Sequence, residues 1–198
     1  MIDIQKKYDI TFVNNYFNKN HKWILNNLPD LSNQSVLDIG CGPADLLSNI
    51  SQIYPNGNYN GIDISDSMIE KARSKFKNEE NFIVGDSHSL PYKNDRFDII
   101  INTISFHHYE QPDKVISEMY RVLKPGGRLL LLDSIRDPFF ISILPWYWDI
   151  KERKYLYTKH LTSKEFRSLF ENSPFQKYNQ KKYYRASPVI HLLTVAEK

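Results

Sequence analysis

The chain has 198 residues, of which 41% are hydrophobic and 25% are charged. This ordinary composition excludes a disordered or fibrous protein, and the length allows one domain with a sizeable core but not two complete ones. The single cysteine, Cys41, excludes an internal disulfide and a cysteine metal cluster and favours a reducing compartment. The first ten residues lack the apolar core of a signal peptide, so we expect a cytoplasmic protein.

The net charge of +3 is unevenly distributed along the chain. Residues up to Asp133 carry a net charge of −3, and residues from Ser134 onward carry +6. Such asymmetry is found at nucleic-acid and lipid surfaces, but lysines on the solvated faces of a helix and a hairpin give the same count. We favour the second interpretation. The most apolar stretch, Pro138 to Ile150, is well short of the ~20 residues of a membrane span, so none is predicted.

The chain begins with a helical pattern in which Tyr8, Phe12 and Tyr16 share one face, and we assign 1–34 to a helical cap. Short aliphatic runs bounded by turn residues then predict five strands, at 35–39, 58–62, 81–85, 97–101 and 128–133. Helical patterns alternate with these strands. We expect one helix with Pro43 at its first position, one after an Asp66-Ser67 cap, and one that ends before Pro125.

The end of the chain departs from this alternation. Thr162 and Glu165 form a predicted capping box, and Leu161 and Phe166 a hydrophobic staple, so a helix is expected to begin near Ser163. Two strand-like runs follow with little room for a helix between them, which predicts an antiparallel hairpin. The fold class is therefore α/β, with a doubly wound, mostly parallel seven-stranded sheet in a single domain. Within it we distinguish a core (35–133), an insert (134–161), and a terminal helix and hairpin (162–198).

A candidate binding turn lies in "SVLDIGCGPADLLSNI", where the first strand gives way to a helix. Gly40 and Gly42 can adopt positive φ angles and lack a Cβ, so the backbone can lie against a ligand. In open α/β sheets, ligands bind at this edge. A Gly-x-Gly turn alone is also common in ordinary loops, and it needs further support.

Carboxylates after the next two strands supply that support. Asp63 ends the second strand, where an acid can accept both hydroxyls of a ribose. Asp86 and Ser87 follow the third strand and are placed to meet an adenine edge. A diphosphate is disfavoured because Asp38 precedes the turn and Asp45 follows it, whereas a sulfonium and an ammonium group would be attracted.

The motifs "VLDIGCGPA", "GIDISDSMIEKAR", "FIVGDSHSLPYKNDRFDIIINTISFHH" and "EMYRVLKPGGRLLLLD" resemble those of the class I S-adenosylmethionine-dependent methyltransferases. The branch is similar to the ubiquinone/menaquinone-biosynthesis methyltransferases (methyltransferase type 11 domain). The resemblance covers Ser35 to Asp133 strongly, and it implies a Rossmann-like fold. One departure is Ala44, where the family usually has a third glycine, so we expect a slightly altered fit with binding retained.

The resemblance implies a role for each matching position, with S-adenosylmethionine as the cofactor and S-adenosylhomocysteine as its product. The turn Gly40-Cys41-Gly42 would hold the methionine portion, and Asp38 would bind near its amino group. The remaining implied contacts are Asp63 to the ribose, Ile64 and Met68 to the adenine face, Asp86 to the adenine amino group, Ser87 to the ring border, and Asn102 beside the methionine.

Methyl transfer from a sulfonium is an in-line displacement, so alignment and exclusion of water are the main tasks of the protein, and no metal is required. His107 follows the fourth strand and is the candidate general base, although a loop histidine more often only lines a pocket. The resemblance places acceptor contacts in the N-terminal helix and in the insert. The candidates for them are Tyr8, Tyr16, His108, Trp146 and Tyr147, which suit a small or medium-sized, partly apolar acceptor.

Three other functions remain open at this point. "QKKYYR" (180–185) interleaves basic and aromatic residues as single-strand binders do, which allows an RNA or protein methyltransferase. A non-catalytic module that senses the cofactor would carry the same acids. A nicotinamide oxidoreductase is disfavoured by Asp38 and Asp45. The acceptor atom and the oligomeric state are not determined by the sequence.

Overall fold

The computed structural model of the chain describes residues 20–137, 157–184 and 190–198. The strands in these residues are β1 (Ser35–Ile39), β2 (Asn58–Asp63), β3 (Phe82–Val84), β4 (Phe97–Thr103), β5 (Leu123–Ile135), β6 (Lys177–Tyr184) and β7 (Ile190–Glu197). After a helical segment at 20–25, the α-helices are α1 (Asp45–Ile53), α2 (Asp66–Arg73), α3 (Pro112–Val122) and α4 (Ser163–Glu171). Short 3-10 helices lie at Glu79–Asn81 and Phe106–His108.

All seven strands form one sheet in the order β3-β2-β1-β4-β5-β7-β6. The pairs among β1 to β5 are parallel, and β7 is antiparallel to both β5 and β6. The predicted doubly wound sheet with a terminal hairpin is confirmed. Because parallel strands all end at the same edge, the residues that follow β1, β2, β3 and β4 lie along one side of the sheet.

Helices cover both faces of the sheet, as the continuous apolar runs in its central strands require. On one face, the buried side chains of α3 and α4 join a cluster that includes Leu37 of β1 and Ile100 of β4. On the other, α1, α2 and Ile24 pack against Val36 and Ile101. The site lies at the strand ends between these two layers.

Two helix starts differ from the predictions. The first helix begins at Asp45 rather than at Pro43, because Gly42 (φ 52°) and Ala44 (φ 56°) are both left-handed and the helical conformation is established only after them. Ala44 therefore caps α1 with a conformation that alanine rarely adopts. The second helix begins at Asp66 and is capped by Ser65, whereas Asp66 and Ser67 were the predicted cap.

The fifth strand is longer than predicted, since it starts at Leu123 instead of residue 128. Leu123 pairs with Phe97, the register then shifts, and pairing resumes between Arg128 and Ile99. Pro125 and the two glycines after it, predicted to end a helix, lie within this irregular stretch of strand. Gly126 has a φ of 75°, a conformation that glycine commonly supplies at irregularities in a strand.

The capping box of α4 is present as predicted. Thr162 Oγ1 accepts a hydrogen bond from Glu165 N at 3.1 Å, and Glu165 Oε2 accepts one from Thr162 N at 2.7 Å. Leu161 and Phe166 are both buried in the same core cluster. These contacts fix where the chain re-enters the core after the insert.

The aromatic candidates Tyr8, Phe12, Tyr16, Trp146 and Tyr147 lie outside the described residues, as do most of the cap and the insert. Within the described ranges, no helix is long and apolar enough to cross a membrane.

Replacing Thr162 by alanine should lower the free energy of unfolding by about 1 kcal/mol, because the amide of Glu165 loses its cap. Urea unfolding of the T162A variant measures this loss. Lys164→Ala changes an exposed residue of the same turn and should stay within about 0.5 kcal/mol of the wild type. Equal losses in both variants would show that the cap contributes nothing specific.

Candidate functional site

The glycine turn after β1 is bound to the neighbouring strand. Gly40 has a φ of 70° and Gly42 a φ of 52°, and the amides of Gly40 and Cys41 both donate to Ile62 O, at 2.8 and 3.1 Å. The turn is therefore held against the end of β2. The thiol of Cys41 is buried and packs against Gly61, where an added Cβ would lie 2.7 Å from the sulfur.

The two glycines have different surroundings. A Cβ on Gly40 would lie 2.4 Å from Ser105 Oγ, whereas a Cβ on Gly42 would meet nothing within 4 Å. Gly40 is thus required both by its φ angle and by the close approach of the loop after β4. No atom of the described residues would therefore obstruct a ligand next to Gly42.

Asp63 joins the glycine turn to the start of α2. Its Oδ2 accepts a hydrogen bond from Gly42 N and its Oδ1 one from Ser65 N, both at 2.9 Å. Beyond it, Ile64 is 75% exposed, and Met68 is partly buried on α2. An exposed isoleucine next to a fixed carboxylate suits the predicted arrangement of adenine face and ribose, which stays a prediction.

Asp38 is a buried acid with no compensating partner in the described part of the chain. Its side chain is only 3% exposed, and Oδ1 makes no hydrogen bond to any described residue. Burial, reinforced by the negative charge of Asp63, raises the pKa of Asp38 well above its ordinary value. Burial of the Cys41 thiol, together with the negative charges of Asp38 and Asp63, raises the pKa of that thiol well above its ordinary value. A cation placed here would offset the cost of ionising Asp38.

Asn102 holds the loops after β1 and β4 together. It is fully buried, and its Nδ2 lies 2.7 Å from Ile39 O, 2.8 Å from Ser105 Oγ and 3.0 Å from Tyr109 OH. Its Oδ1 has no partner among the described residues. A second buried acceptor therefore lies one strand away from Asp38, where a donor group of a ligand would satisfy it.

The acid after β3 is more exposed than the others. The Asp86 side chain is 58% exposed, and its Oδ1 accepts hydrogen bonds from His88 N at 2.9 Å and from His88 Nδ1 at 2.7 Å. The bond from the His88 amide, followed by the imidazole, holds the pKa of Asp86 below its ordinary value. Ser87 is buried beside it. His88 was missed by the sequence analysis.

The candidate base His107 is paired with Asp133, which the sequence analysis also missed. Asp133 Oδ2 accepts from His107 N at 2.8 Å, and Oδ1 lies 2.8 Å from His107 Nδ1. The carboxylate is fully buried and the imidazole is 9% exposed. Asp133 lies near the carboxyl end of β5, which pairs with β4. "RLLLLD" therefore did carry a signal, since an acid follows an aliphatic run near the edge of the sheet where the strands end.

Burial alone would raise the pKa of Asp133, but the charge and hydrogen bond of His107, together with His160 and the Ser134 amide, outweigh it and lower the pKa to about 2. The ionised form therefore stabilises the fold above the ordinary pKa of about 4, and this contribution is lost as the pH falls toward 2. The His160 ring stacks on His107 with centroids 4.5 Å apart.

His108 connects the same loop to the segment that follows the insert. Its Nδ1 lies 3.0 Å from Tyr157 O and 3.3 Å from Thr158 Oγ1, and Lys159 N donates to His107 O at 2.8 Å. The predicted contact of His108 with an acceptor stays a prediction. No group of three or more His, Cys, Asp or Glu side chains within the described ranges is arranged to hold a metal ion.

With this geometry established, known proteins similar to the chain can be compared with it. Residues 37–131 match the family described as Methyltransferase domain. A ubiquinone/menaquinone biosynthesis C-methyltransferase from Haemophilus ducreyi is 30% identical over 178 residues, which cover 78% of this chain and 68% of that protein. The chain belongs to the class I S-adenosylmethionine-dependent methyltransferase family.

Two further similarities define how far the match extends. A demethylmenaquinone methyltransferase from Lactococcus lactis is 36% identical over 112 residues, covering 53% of this chain. The match spans only 44% of that relative's length. A chain in the solved complex between the Haloferax volcanii Trm112 methyltransferase activator and a methyltransferase has a TM-score of 0.77 and 21% identity, and the match covers 90% of this chain and 88% of that one. This likeness shows the shared Rossmann-like fold.

S-adenosylmethionine is the methyl donor of this family, and the residues of this chain fit it. The donor carries an ammonium and a sulfonium group, and Asp38 Oδ1 and Asn102 Oδ1 are buried acceptors without partners in the described part of the chain. Such atoms require a donor or a positive charge. A diphosphate would place further negative charge beside Asp38 and Asp63, and the repulsion between like charges disfavours it.

Gly40→Ala should destabilise the protein by more than about 2 kcal/mol, because a left-handed alanine costs about 1 to 2 kcal/mol and the clash with Ser105 adds to it. Gly42→Ala carries the conformational cost alone and should lose about 1 kcal/mol. Urea unfolding of both variants measures the difference. A G42A loss as large as that of G40A would contradict the importance of the Ser105 contact.

Asp38→Asn should make the ligand-free protein more resistant to urea at pH 7, because a neutral amide replaces a carboxyl group that resists ionisation. The wild type binds an extra proton in the folded state, so its stability falls as the pH rises above the ordinary value near 4, and D38N should lack this fall. Affinity for S-adenosylhomocysteine should drop at least about tenfold, since a charged hydrogen bond is lost. Calorimetric titration measures the affinity, and unchanged binding would contradict the ammonium contact.

Proposed function

We propose that the chain transfers a methyl group from S-adenosylmethionine to a small or medium-sized, partly apolar acceptor and releases S-adenosylhomocysteine. The observation that carries this proposal is a buried carboxylate oxygen of Asp38, beside the glycine turn, that has no hydrogen-bond partner among the described residues. Burial of an acid without a partner is costly, and the cationic amino-acid end of this donor would compensate for it.

The glycine turn, with Cys41 at its centre, would lie against the methionine portion of the donor. Asp38 would accept from its ammonium group, and Asn102 would lie beside the same portion. The contacts at the nucleoside end are proposed as Asp63 to the ribose hydroxyls, Ile64 and Met68 to the adenine face, Asp86 to the adenine amino group, and Ser87 to the border of the ring.

When bound, the donor supplies a methyl group on a positively charged sulfur, which becomes a neutral thioether. A neutral acceptor that gains this methyl group must lose a proton, and we assign His107 as the base that takes it. Nδ1 of His107 is committed to Asp133, so the proton would be taken by Nε2. The buried carboxylate fixes the tautomer and stabilises the imidazolium that forms, as in other Asp–His pairs.

The class of acceptor is supported by the relatives. The Haemophilus ducreyi and Lactococcus lactis proteins are named for methylation in ubiquinone and menaquinone biosynthesis, which indicates a hydroxylated ring as the first acceptor to test. His108, Tyr8, Tyr16, Trp146 and Tyr147 stay as the proposed acceptor contacts. An aromatic-rich set would suit a partly apolar ring.

The described residues argue against RNA as the acceptor. In "QKKYYR", Tyr183 is already stacked on Trp23 at 4.8 Å, and Lys182 is paired with Asp137 at 2.5 Å. Tyr184 is 71% exposed, so a single exposed aromatic side chain is left on β6. A platform for single-stranded RNA usually stacks successive bases.

The proposal is tested with methyl-labelled S-adenosylmethionine and separated pools of cell metabolites, RNA and protein. We expect S-adenosylhomocysteine to be released, with the label in the metabolite pool, including reduced quinone precursors. Label in RNA or protein alone would contradict the small-molecule acceptor. Binding without product in any pool would indicate a sensor module instead of an enzyme.

His107→Gln should lower kcat by about 100-fold or more once an acceptor is known, because general base catalysis contributes about 10² to 10⁴. Asp133→Asn should also lower kcat, since an amide in place of the carboxylate favours the wrong imidazole tautomer. Affinity for S-adenosylhomocysteine should change less than about twofold in both variants. A kcat that is unaffected in H107Q would exclude His107 as the base.

A further inference from the structure

His88 connects the loop after β3 to the residue that precedes α3. Its Nδ1 lies 2.7 Å from Asp86 Oδ1, and its Nε2 lies 3.3 Å from the backbone nitrogen of Gln111. The edge of the imidazole also meets the Tyr109 ring, with centroids 6.0 Å apart. Both nitrogens of one side chain are therefore engaged by different parts of the site.

These contacts fix the tautomer of the imidazole. The backbone N–H of Gln111 can only donate, so Nε2 of His88 must carry a lone pair. The ring proton of the neutral imidazole then lies on Nδ1, where it is donated to Asp86 Oδ1. His88 acts as a donor toward Asp86 and as an acceptor toward Gln111.

Asp86 is held through one of its two oxygens. Oδ1 accepts from both the amide and the imidazole of His88, whereas Oδ2 has no hydrogen-bond partner among the residues that the structure describes. The carboxylate is more than half exposed, so without these bonds its side chain would rotate freely. Held in this way, it presents an acceptor-only oxygen at the end of β3.

An acceptor-only group discriminates between purines by their 6-substituent. A 6-amino group donates to a carboxylate, whereas a 6-oxo group presents a lone pair and is repelled. A polar group fixed in position rejects the wrong analogue more strongly than a mobile one, because a mobile group can turn away. The selectivity of such a site therefore depends on what fixes the carboxylate.

We propose that His88 is a positioning residue that fixes Asp86, so that the site selects a 6-amino purine cofactor over a 6-oxo purine. This inference rests on the proposed function, which places Asp86 at the adenine amino group. His88 itself need not touch the cofactor. Its effect is transmitted through the hydrogen bond between its Nδ1 and Asp86 Oδ1.

Two substitutions separate the contacts of His88. His88→Asn retains a donor near the position of Nδ1 and loses the acceptor for Gln111. His88→Gln retains an acceptor near the position of Nε2 and loses the donor for Asp86. Asp86→Asn serves as the reference for a site without the acceptor-only carboxylate.

The experiment is calorimetric titration of the full chain with S-adenosylhomocysteine and with its inosine analogue, S-inosylhomocysteine. The measured quantity is the ratio of the two dissociation constants. We expect the wild type to favour the adenosine compound at least about tenfold. H88Q should lower this ratio about three- to tenfold, toward the value of D86N, and H88N should keep it within about twofold of the wild type.

Other outcomes would overturn the proposal. An H88Q ratio equal to that of the wild type, or equal weakening of both ligands, would show that His88 only packs the loop. A wild type that binds both compounds equally would remove Asp86 from the 6-position. A wild type that binds neither would refute the proposed cofactor site itself. The melting temperatures of ligand-free H88N and H88Q are compared as a control. If they are equal, a loss of fold does not account for the difference in selectivity between the two variants.

Discussion

The hydrogen bonds that hold the glycine turn to the end of β2 are the constraint on which the site depends. The amides of Gly40 and Cys41 donate to Ile62 O, and Gly42 N donates to Asp63 Oδ2. Glycine favours this conformation, because the φ angles of Gly40 and Gly42 are positive and a side chain there would be strained. Asp63 also accepts a hydrogen bond from Ser65 N. One carboxylate therefore fixes both the glycine turn and the start of α2.

The cost of this arrangement is concentrated in Asp38. The carboxyl group is buried, and this burial together with the negative charge of Asp63 raises its pKa well above the ordinary value. Asp133 is also buried, but its pKa is lowered, because the nearby His107 and His160 outweigh the effect of burial. The contrast between these two acids separates a group that we propose binds the cationic end of the cofactor from a group whose charge is already compensated by the protein.

The second half of the site is assembled by the chain after the insert. Residues 157–161 return to the core beside the loop after β4, where His160 stacks on His107 and Arg136 N donates to Leu161 O. Immediately afterwards, the capping box of Thr162 and Glu165 starts α4. The proposed base is therefore held both by the sheet and by the segment that carries the chain back from the insert.

The amino-acid sequence determined the features that depend on neighbours along the chain: the strands, the capping box of α4, the glycine turn and the acids at the strand ends. Local steric and hydrogen-bonding preferences decide these, so patterns over a few residues are sufficient. The start of α1 was mispredicted, because Ala44 adopts a left-handed conformation that its own preference opposes.

Only the tertiary structure paired His107 with Asp133 and placed Gln111 against His88. These contacts join residues that are 26 and 23 positions apart, and they depend on how parallel strands align. For the same reason, the raised pKa of Asp38 could not be predicted from sequence, because burial and the charge of Asp63 exist only in the folded chain.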